Sequence, residues 1–528
     1  MRQPLRPVSR GRRITKAYPI PASTKGWLAN QAISQMDPEG AVVLMNWFPK
    51  PDALQVRNGS LAFAQTPETV PVGTLMTYIS GNSSNIFAAC NGKIYDVTAG
   101  GAISSSLASG FSNDLWQYIN MSTAGGLFLI AVNGQDPPQF FNGTTWAALS
   151  PAITGPSNPN ALIQVWNYKQ RLWFVEQGTQ NVWYLAPASI GGAATQFPLG
   201  ELLTLGGPIQ VGGTWTHDAG FGPQDYCAFI SQEGEVLLYS GSDPTTPSGF
   251  TLIGHFYIGR PIGRRCILRS GADLVINCSD GIMPMSKAIQ FDRASAAKQA
   301  FTWNILDAFT QAYSTYGHNT GWEILSYAKG TMAIVNIPSQ PGFAAIQYVM
   351  NTLTGAWCQF TGINSATWTV REDDLLFGGM SGNVLTADSG SADYNGSTYT
   401  PINAQWISAF NDLGMKGISK SARLGRPVFI VPPPINPGVG VCVDYNLNAV
   451  TSSQTFTFSN QALWDVALWD VATWPATNPT QANWQNVSGD GYQFAATVAV
   501  NSLPSAPTIK VVCKLTEMNI LYEPGGYI

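Results

Sequence analysis

The sequence is poor in charged residues and in histidine. Asp, Glu, Lys and Arg make up 11% of its 528 residues, against about 25% in an average soluble protein. The net charge of −4 is small for this length and argues against a globally basic nucleic-acid-binding protein. The three histidines, His217, His255 and His318, stand far apart in the chain. No histidine metal cluster, and no cofactor of any kind, is therefore expected.

Other signals are also missing. No run of 18 or more apolar residues occurs, so no membrane-spanning helix is expected, and the basic N-terminus has no apolar stretch behind it as a secretory signal would. The seven cysteines never form a C-x-x-C pair, which favours buried thiols in a reducing compartment over disulfides or a zinc site. They are Cys90, Cys227, Cys266, Cys278, Cys358, Cys442 and Cys513.

Signatures of catalysis are weak as well. The sequence has no G-x-S-x-G motif and no phosphate-binding loop. Glu233 and Glu235 flank Gly234 in a sequence typical of a hairpin turn, where solvated side chains are expected rather than the paired carboxylates of a glycosidase. We expect a protein that is not an enzyme.

Glycine, proline and aromatic residues are abundant. The 53 Gly and 35 Pro favour turns over long helices, and the many Trp, Tyr and Phe suit pleated sheets. A chain of this length is expected to form two to four domains. The composition predicts an all-β protein.

A hairpin pattern recurs between residues 40 and 390, with an apolar run, a Gly-containing turn and a second apolar run. Asn91-Gly92 gives one of these hairpins the dipeptide that a type I′ turn requires. Units that start roughly 40 to 60 residues apart are typical of propeller blades. The sequence predicts a β-propeller-like ring of six to eight blades, with a pair of β-sandwiches as the alternative. Seven hairpins are recognisable: Asn85–Val97, Gly126–Trp146, Arg171–Leu185, Cys227–Gly241, Asp273–Ser286, Met332–Phe360 and Asp373–Asp388.

One segment has helical periodicity. Phe301, Ile305 and Phe309 fall on one face of a helix, and Asp292 or Ser295 can cap it. The pattern predicts a helical insertion at about 292–315 that projects from the ring. Its apolar face is expected to pack on its own blade, and a subunit contact is the alternative.

These patterns divide the chain into four parts. Residues 1–35 are predicted to be a basic extended arm, 36–390 the propeller-like region, 391–401 a linker and 402–528 a C-terminal β domain of sandwich or barrel type. In the last strand the apolar face changes register near Thr516–Glu517, which predicts a β-bulge.

Two basic segments are candidate contact sites. The first lies in the arm, which is either a solvated tail or a segment that docks on another subunit or on phosphate. Its cations are Arg2, Arg6, Arg10, Arg12, Arg13 and Lys16. The second contains Arg260, Arg264 and Arg265, which can meet phosphates or carboxylates of a neighbouring subunit or form ion pairs between blades.

Three tryptophans recur every five residues in LWDVALWDVATW, a period that fits neither strand nor helix. Two successive tight turns would present Trp464, Trp469 and Trp474 in the same direction. Because an indole buries a large area at little entropic cost, we expect a ladder at a subunit contact or at the joint between the two β regions. The alternatives are the core of an irregular loop and stacking on carbohydrate.

Several segments resemble virion proteins of tailed bacteriophages. They include 46–59, 169–185, 233–244, 258–265 and the Trp-rich stretch, and the most similar class is the tail nozzle, or tail tubular protein B, of short-tailed phages. The resemblance implies a non-enzymatic subunit, six copies of which form a ring below the portal and adaptor. That ring retains the genome and conducts double-stranded DNA during ejection, without reading its sequence.

The resemblance also implies partners and a location. A nozzle contacts the adaptor or portal and the tail fibres or tip proteins, and resides in the virion tail after assembly in the cytoplasm of the bacterial host. Six copies of a chain with net charge −4 carry about −24, which would repel rather than trap DNA. A glycan-binding or receptor-binding propeller of the tail is the alternative function.

Overall fold

The computed structural model describes residues 15–81, 83–218, 223–341, 344–431, 437–448, 480–502, 507–510 and 512–525. Strands dominate these ranges, and most of them belong to small antiparallel sheets. The prediction of an all-β, propeller-like architecture with a helical insertion and a C-terminal β domain is confirmed.

Seven small sheets, here called blades 1 to 7, follow one another within the described part of residues 60–387. Blade 1 contains Thr74–Ser80, Ser83–Cys90, Lys93–Asp96 and Ala108–Ser109; blade 2 contains Gln117–Thr123, Gly126–Val132, Gln139–Phe141 and Trp146–Ala148. Blade 3 contains Leu162–Tyr168, Arg171–Glu176, Asn181–Tyr184 and Thr195–Pro198; blade 4 contains Ile209–Asp218, Pro223–Ser231, Glu235–Gly241 and Phe250–Tyr257.

The remaining blades complete the series. Blade 5 contains Ile267–Ser270, Asp273–Cys278 and Gly281–Pro284; blade 6 contains Glu323–Tyr327, Met332–Ile337, Ala344–Asn351 and Trp357–Ser365. Blade 7 contains Thr367–Arg371, Asp374–Gly378, Asn383–Ala387 and Ser60–Gln65, with Gly101–Ala102 on its outer edge. Each of the seven hairpins recognised in the sequence lies in a different blade. The Asn91-Gly92 turn has the positive φ angles, 53° and 65°, that type I′ requires.

The last blade is joined to the first. Its outer strand Ser60–Gln65 precedes blade 1 in the sequence and pairs antiparallel with Asn383–Ala387. Leu75 and Ile86 of blade 1 share one buried cluster with Leu376 and Val384 of blade 7. Similar apolar clusters lie between the other neighbouring blades, and the one between blades 6 and 7 continues into the sandwich. Each blade thus covers the apolar face of the next, which a single sheet could not bury alone.

Helices cover blade 5, which has three strands in the described part of the chain. The helical segments are Met285–Ala288, Arg293–Ala296, Ala297–Gln299, Trp303–Ile305 and Leu306–Tyr316. The hydroxyl of Thr302 accepts a bond from the outer-strand N–H of Ile282 (3.1 Å), and Ile305 and Phe309 are fully buried between blades 5 and 6. The predicted packing on the ring is confirmed for Ile305 and Phe309, and Asp292 caps the short helix Arg293–Ala296 by accepting from Ser295 N. The single helical face is wrong for Phe301, which lies in a turn between two helical segments and is 38% exposed. The insertion covers the blade edge and does not project from it.

Blade 6 continues into a second module. Its strand Trp357–Ser365 pairs with strands of a β-sandwich, so that nine described strands form one sheet. The five strands beyond the blade are Gly26–Trp27, Gly40–Met45, Ile402–Ser408, Phe494–Ser502 and Gly438–Val443. The facing sheet contains Trp47–Pro49, Leu54–Val56, Lys514–Pro524, Lys420–Ile430, Thr480–Ala482, Gln485–Gly491 and Lys16–Pro21. Trp47, Trp406, Phe429 and Leu515 fill the space between the sheets.

The sandwich corrects the predicted boundaries at its N-terminal side. Lys16–Pro21, assigned to the extended arm, is a strand that pairs residue by residue with 517–522. Strands within 40–56, assigned to the propeller, pair with strands of the sandwich instead. The prediction failed because Lys16–Pro21, Gly40–Met45 and Leu54–Val56 pair with strands beyond residue 400, which local composition does not reveal.

The predicted linker is also structured. Asp393–Tyr394 pairs with Tyr399–Thr400, and Asp393 is buried against Arg57. Ser391 and Ala392 also form backbone hydrogen bonds, with Pro507 and Ser60 respectively, so polar contacts order a segment that has few apolar residues. In contrast, the predicted bulge is confirmed: Phe429 lies opposite Leu515 and Val428 opposite Glu517, which leaves Thr516 as the extra residue.

Candidate functional site

The innermost strands of the blades surround an axial channel. One cavity of about 200 Å³ is lined by Gln117, Arg264, Arg265 and Glu323, among others. A second cavity of about 450 Å³ is lined by Asn120, Asn167, Thr214 and Arg269. Both cavities include Tyr118, Gln164 and Ile267, so they are consecutive parts of the same channel.

Arg265 crosses the channel. It begins on the blade 5 side, and its guanidinium donates to the hydroxyl of Thr367 in blade 7 and to that of Thr74 in blade 1, each at 2.6 Å. A longer bond reaches the carbonyl of Trp116 next to blade 2 (3.3 Å), and Nη1 lies 3.4 Å from Glu323 Oε2 in blade 6. One side chain therefore connects five blades, which fits the rigid planar fork of arginine.

Glu323 is the acidic partner in this channel. Besides Arg265, its carboxylate accepts the backbone N–H of Trp368 at 3.0 Å. Burial raises the pKa of Glu323, and the charge of Arg265 opposes that rise. The pair is thus an inter-blade ion pair, which was the alternative considered for Arg265 from the sequence.

A belt of polar side chains surrounds the channel at one level. Thr77 of blade 1 bonds to Thr369 of blade 7 through their hydroxyls (3.0 Å), and Asn120 of blade 2 donates to the carbonyl of Thr77 (2.8 Å). Thr214 of blade 4 donates to the carbonyl of Asn167 in blade 3 (2.7 Å). These bonds join neighbouring blades at the axis.

Three amide oxygens of the channel have no hydrogen-bond partner. They are Oδ1 of Asn120, Oε1 of Gln164 and Oδ1 of Asn167, and all three atoms are buried. A buried acceptor without a donor costs roughly 1–3 kcal/mol. These oxygens lie beneath the surface of the channel, so the fold leaves their desolvation uncompensated.

The other two arginines of the basic segment differ from Arg265. Arg260 is exposed and pairs with Glu233 at 2.6 Å. Arg264 is half-buried, and its Nη1 donates to the carbonyl of Asn133 in the loop after a blade 2 strand (3.2 Å). Arg264 and Arg265 bond to partners inside their own ring. The subunit-interface role of Arg260, Arg264 and Arg265 stays a prediction.

The prediction of two solvated glutamates is wrong for Glu235. Its side chain is fully buried and accepts bonds from Thr204 N, Thr204 Oγ1 and Leu205 N. Nε2 of His255 lies 3.1 Å from the same carboxylate. Burial acts to raise the pKa of Glu235, but the bonds from Thr204 and Leu205 outweigh it, so the pKa lies below its usual value. Glu235 holds a loop onto blade 4, a role set by tertiary contacts.

The cysteines are buried and unpaired, as predicted. Burial raises their pKa values, for example that of Cys90 to about 12, so the thiol forms dominate at neutral pH. In the described ranges no group of three His, Cys, Asp or Glu side chains could hold a metal ion. No helix there is long and apolar enough to cross a membrane.

The tryptophan ladder of Trp464, Trp469 and Trp474 lies outside the described residues, as do Arg2, Arg6, Arg10, Arg12 and Arg13 of the arm. Their proposed contacts stay predictions. Lys16 is described, and its Nζ lies 3.7 Å from the sulfur of Met415 in the sandwich.

Sequence reasoning missed the polar belt, although a signal was present. Thr77 and Asn120 are 43 residues apart, and Asn167 and Thr214 are 47 apart. Both intervals match the blade repeat, so aligning the seven hairpins would have placed these residues at one level. In contrast, nothing in the sequence indicates that Arg265 reaches Thr74, which is 191 residues away.

Comparisons with known proteins give distant likenesses. No family model and no curated protein matches the sequence. Among solved structures, a complex of BBS1N with ARL6DN aligns at 11% identity and a TM-score of 0.38, covering 64% of this chain and 99% of the other. Raptor from Chaetomium thermophilum aligns at 10% identity and a TM-score of 0.39, and the alignment covers 62% of this chain and 28% of Raptor.

A glycoside hydrolase family 43 arabinoxylan arabinofuranohydrolase from Bacillus subtilis aligns at 10% identity and a TM-score of 0.22. The alignment covers 87% of this chain and 96% of the enzyme. At such values we draw no functional conclusion from any of these proteins.

Proposed function

We propose that this protein is a structural, non-catalytic subunit of a bacteriophage tail, namely the nozzle ring of six copies that extends the DNA-exit channel below the portal and adaptor. The proposal rests on the sequence resemblance together with one structural observation. This observation is the sheet that runs without interruption from blade 6 into the sandwich through Trp357–Ser365.

The continuous sheet matters because it couples two modules rigidly. Domains in one chain usually move relative to each other unless a large interface joins them. Here backbone hydrogen bonds replace a hinge: Gly26 pairs with Trp357, and Met45 pairs with Gln359. A subunit that holds a pressurised genome in place benefits from such coupling.

The axial channel of one chain is not the proposed DNA passage. Arg265 spans the channel from blade 5 to blades 7 and 1, so duplex DNA has no room along this axis. In the proposed assembly, DNA passes between several copies arranged around a common axis. Heterologous contacts, with one patch docking on a different patch of the next copy, generate rings of this kind.

Intact particles provide the test. We expect quantitative protein analysis of purified virions to find six copies per particle, and electron microscopy to place them in a ring between the adaptor and the tail tip. Absence of the protein from virions, or its presence as single copies on fibres, would contradict the proposal. Specific attachment to host polysaccharide without a ring would favour the receptor-binding alternative instead.

A further inference from the structure

Blade 4 ends in a long outer strand whose second edge has no strand partner in the described part of the chain. Phe250–Tyr257 has eight residues and pairs only with Glu235–Gly241. The outer strands of blades 1, 2 and 3 are shorter, with two, three and four residues. A long open strand exposes a row of backbone N–H and C=O groups, which natural proteins usually cover or shorten.

The outer edges of blades 5, 6 and 7 are covered by other segments of this chain. In blade 5 the N–H of Ile282 donates to the hydroxyl of Thr302 in the helical insertion (3.1 Å). In blade 6 the strand Trp357–Ser365 continues into the sandwich, and in blade 7 the strand Ser60–Gln65 pairs with Gly101–Ala102. Among the described residues, blade 4 is therefore the one blade whose outer edge is both long and uncovered.

The uncovered strand carries apolar side chains on the face that is directed at blade 3. Leu252 lies opposite Tyr239 and Tyr257 lies opposite Glu235, and residues opposite each other in an antiparallel pair share one face of the sheet. Tyr239 belongs to the apolar cluster between blades 3 and 4, which identifies this face. Leu252 and Tyr257 are nevertheless 40% and 42% exposed, so blade 3 leaves a large part of both side chains uncovered.

Two further apolar side chains extend this surface. The hydroxyl of Thr204 lies 2.9 Å from that of Tyr257, which places the next residue, Leu205, beside the end of the strand, and Leu205 is 58% exposed. Ile253 is the extra residue of a β-bulge and is 52% exposed. Leu205, Leu252, Ile253 and Tyr257 are here called the blade 4 rim.

Charge and size favour a second copy of this chain as the partner of the rim. The strand contains no Asp, Glu, Lys or Arg, and its one histidine, His255, bonds to the buried carboxylate of Glu235. Two copies with net charge −4 can therefore meet here without bringing like charges together, whereas a nucleic acid would find no cation on the strand. Eight residues span about 26 Å, which is close to the width of a standard interface of about 800 Å² per partner.

We propose that the blade 4 rim is a contact surface between copies of this chain, in which the neighbouring copy covers Leu205, Leu252, Ile253 and Tyr257. Apolar side chains hold this contact rather than a continuous sheet, because the bulge at Ile253 interrupts the edge and hinders open-ended strand pairing. The inference rests on the proposed ring for the number of copies alone, and it names the surface through which one copy meets the next.

Sedimentation of the full-length protein at about 1 and 100 µM tests the proposal. Wild type is expected to associate as the concentration rises, and Ile253→Lys is expected to raise the dissociation constant at least tenfold, since association would bury its ammonium group. Leu205→Lys alters the same rim from a loop and is expected to have the same effect. The matched control is Ile79→Lys, because Ile79 is 57% exposed on a blade 1 strand, and it is expected to associate as wild type does.

Two measurements separate association from folding. At about 1 µM the three variants are expected to keep the wild-type unfolding temperature, because each replaced side chain is more than half exposed in the single chain. Amide hydrogen exchange within residues 250–257 of wild type is expected to be slower at about 100 µM than at about 1 µM. In Ile253→Lys it is expected to be equal at both concentrations.

Four results would overturn the proposal. They are a wild type that stays monomeric at about 100 µM, unchanged association of the folded Ile253→Lys or Leu205→Lys variant, equal weakening by Ile79→Lys, and association without slower exchange in residues 250–257. The nozzle proposal can fail separately. Association through the rim by a protein absent from virions would end the nozzle proposal alone, and normal assembly of Ile253→Lys into six-copy rings would end this proposal alone.

Discussion

Arg57 and Asp393 form a buried ion pair in which Nη1 of the arginine donates to Oδ1 of the aspartate at 2.8 Å and Nη2 donates to Oδ2 at 2.5 Å. The side chains are 1% and 6% exposed. The remaining donors of Arg57 bond to Asn46 Oδ1, to the carbonyl of Asn58 and to that of Thr361 in blade 6. The pair thus ties the segment between the sandwich and blade 7 to blade 6.

We expect Asp393→Asn to lower the free energy of unfolding by about 3–5 kcal/mol, because it leaves the guanidinium of Arg57 buried without a counter-charge. Urea denaturation measures this. The control is Lys510→Met, which removes the exposed pair with Asp388 and is expected to cost less than about 1 kcal/mol. Equal effects of the two variants would show that the buried pair does not hold the modules together.

Arg265 and Glu323 give a second prediction. Arg265→Met is expected to cost about 3 kcal/mol, since Glu323 loses its cation and Thr74 and Thr367 lose a donor. Adding Glu323→Gln removes the carboxylate that has lost its cation, so the double variant is expected to be more stable than Arg265→Met alone. Urea denaturation of the four proteins completes the cycle. If the double variant loses as much free energy of unfolding as the two single variants together, the two residues act independently.

The two glutamates beside Gly234 are expected to differ. Glu235→Gln is predicted to cost about 1–3 kcal/mol at pH 7, since an amide cannot accept all the bonds from Thr204 and Leu205. Glu233→Gln, which alters an exposed pair with Arg260, is expected to cost less than about 1 kcal/mol.

The cost of Glu235→Gln is also expected to depend on pH. The pKa of Glu235 is lower in the folded state than in the unfolded chain, so its ionisation contributes fully above the unfolded value of about 4.3. That contribution is lost as the pH falls through the folded pKa. The difference in the free energy of unfolding between wild type and variant should therefore become smaller below about pH 4. A difference that stays constant with pH would contradict this.

Gly212 lies where blade 4 contacts blade 3. A Cβ atom there would overlap the indole of Trp166, which itself is packed against Trp173 and Phe229. Gly212→Ala is expected to cost about 1–3 kcal/mol through overpacking. The control Gly125→Ala meets its nearest atom at 3.5 Å and should be neutral in thermal unfolding. If both variants unfold like wild type, the blades are less tightly packed than the structure indicates.

Deleting residues 2–14 tests the basic arm without removing the strand Lys16–Pro21, which belongs to the sandwich. The truncated protein is expected to keep the wild-type unfolding temperature and to incorporate less efficiently into particles. Neutralising Arg10, Arg12 and Arg13 by glutamine is the charge-only version of the same experiment. Normal yields of infectious particles from both variants would show that the arm is a solvated tail.

Local sequence signals predicted the elements well where the structure is decided locally. Asn91-Gly92 requires only its own two positive φ angles, and the Thr516 bulge follows from alternation within one strand. Failures occurred where a residue has a distant partner. Glu235 was expected in water because it flanks a turn, but a loop that begins some 30 residues earlier covers it.

The sequence by itself determined that the chain forms seven hairpins, because apolar alternation and turn residues act over a few neighbouring positions. It also determined that the hairpins must cover one another, because each has two apolar faces. Only the tertiary structure decided that Ser60–Gln65 completes blade 7, that the N-terminal strands belong to the sandwich, and that Arg265 crosses the axis. These features join residues that lie hundreds of positions apart, and a single sequence carries no local pattern that specifies such pairs.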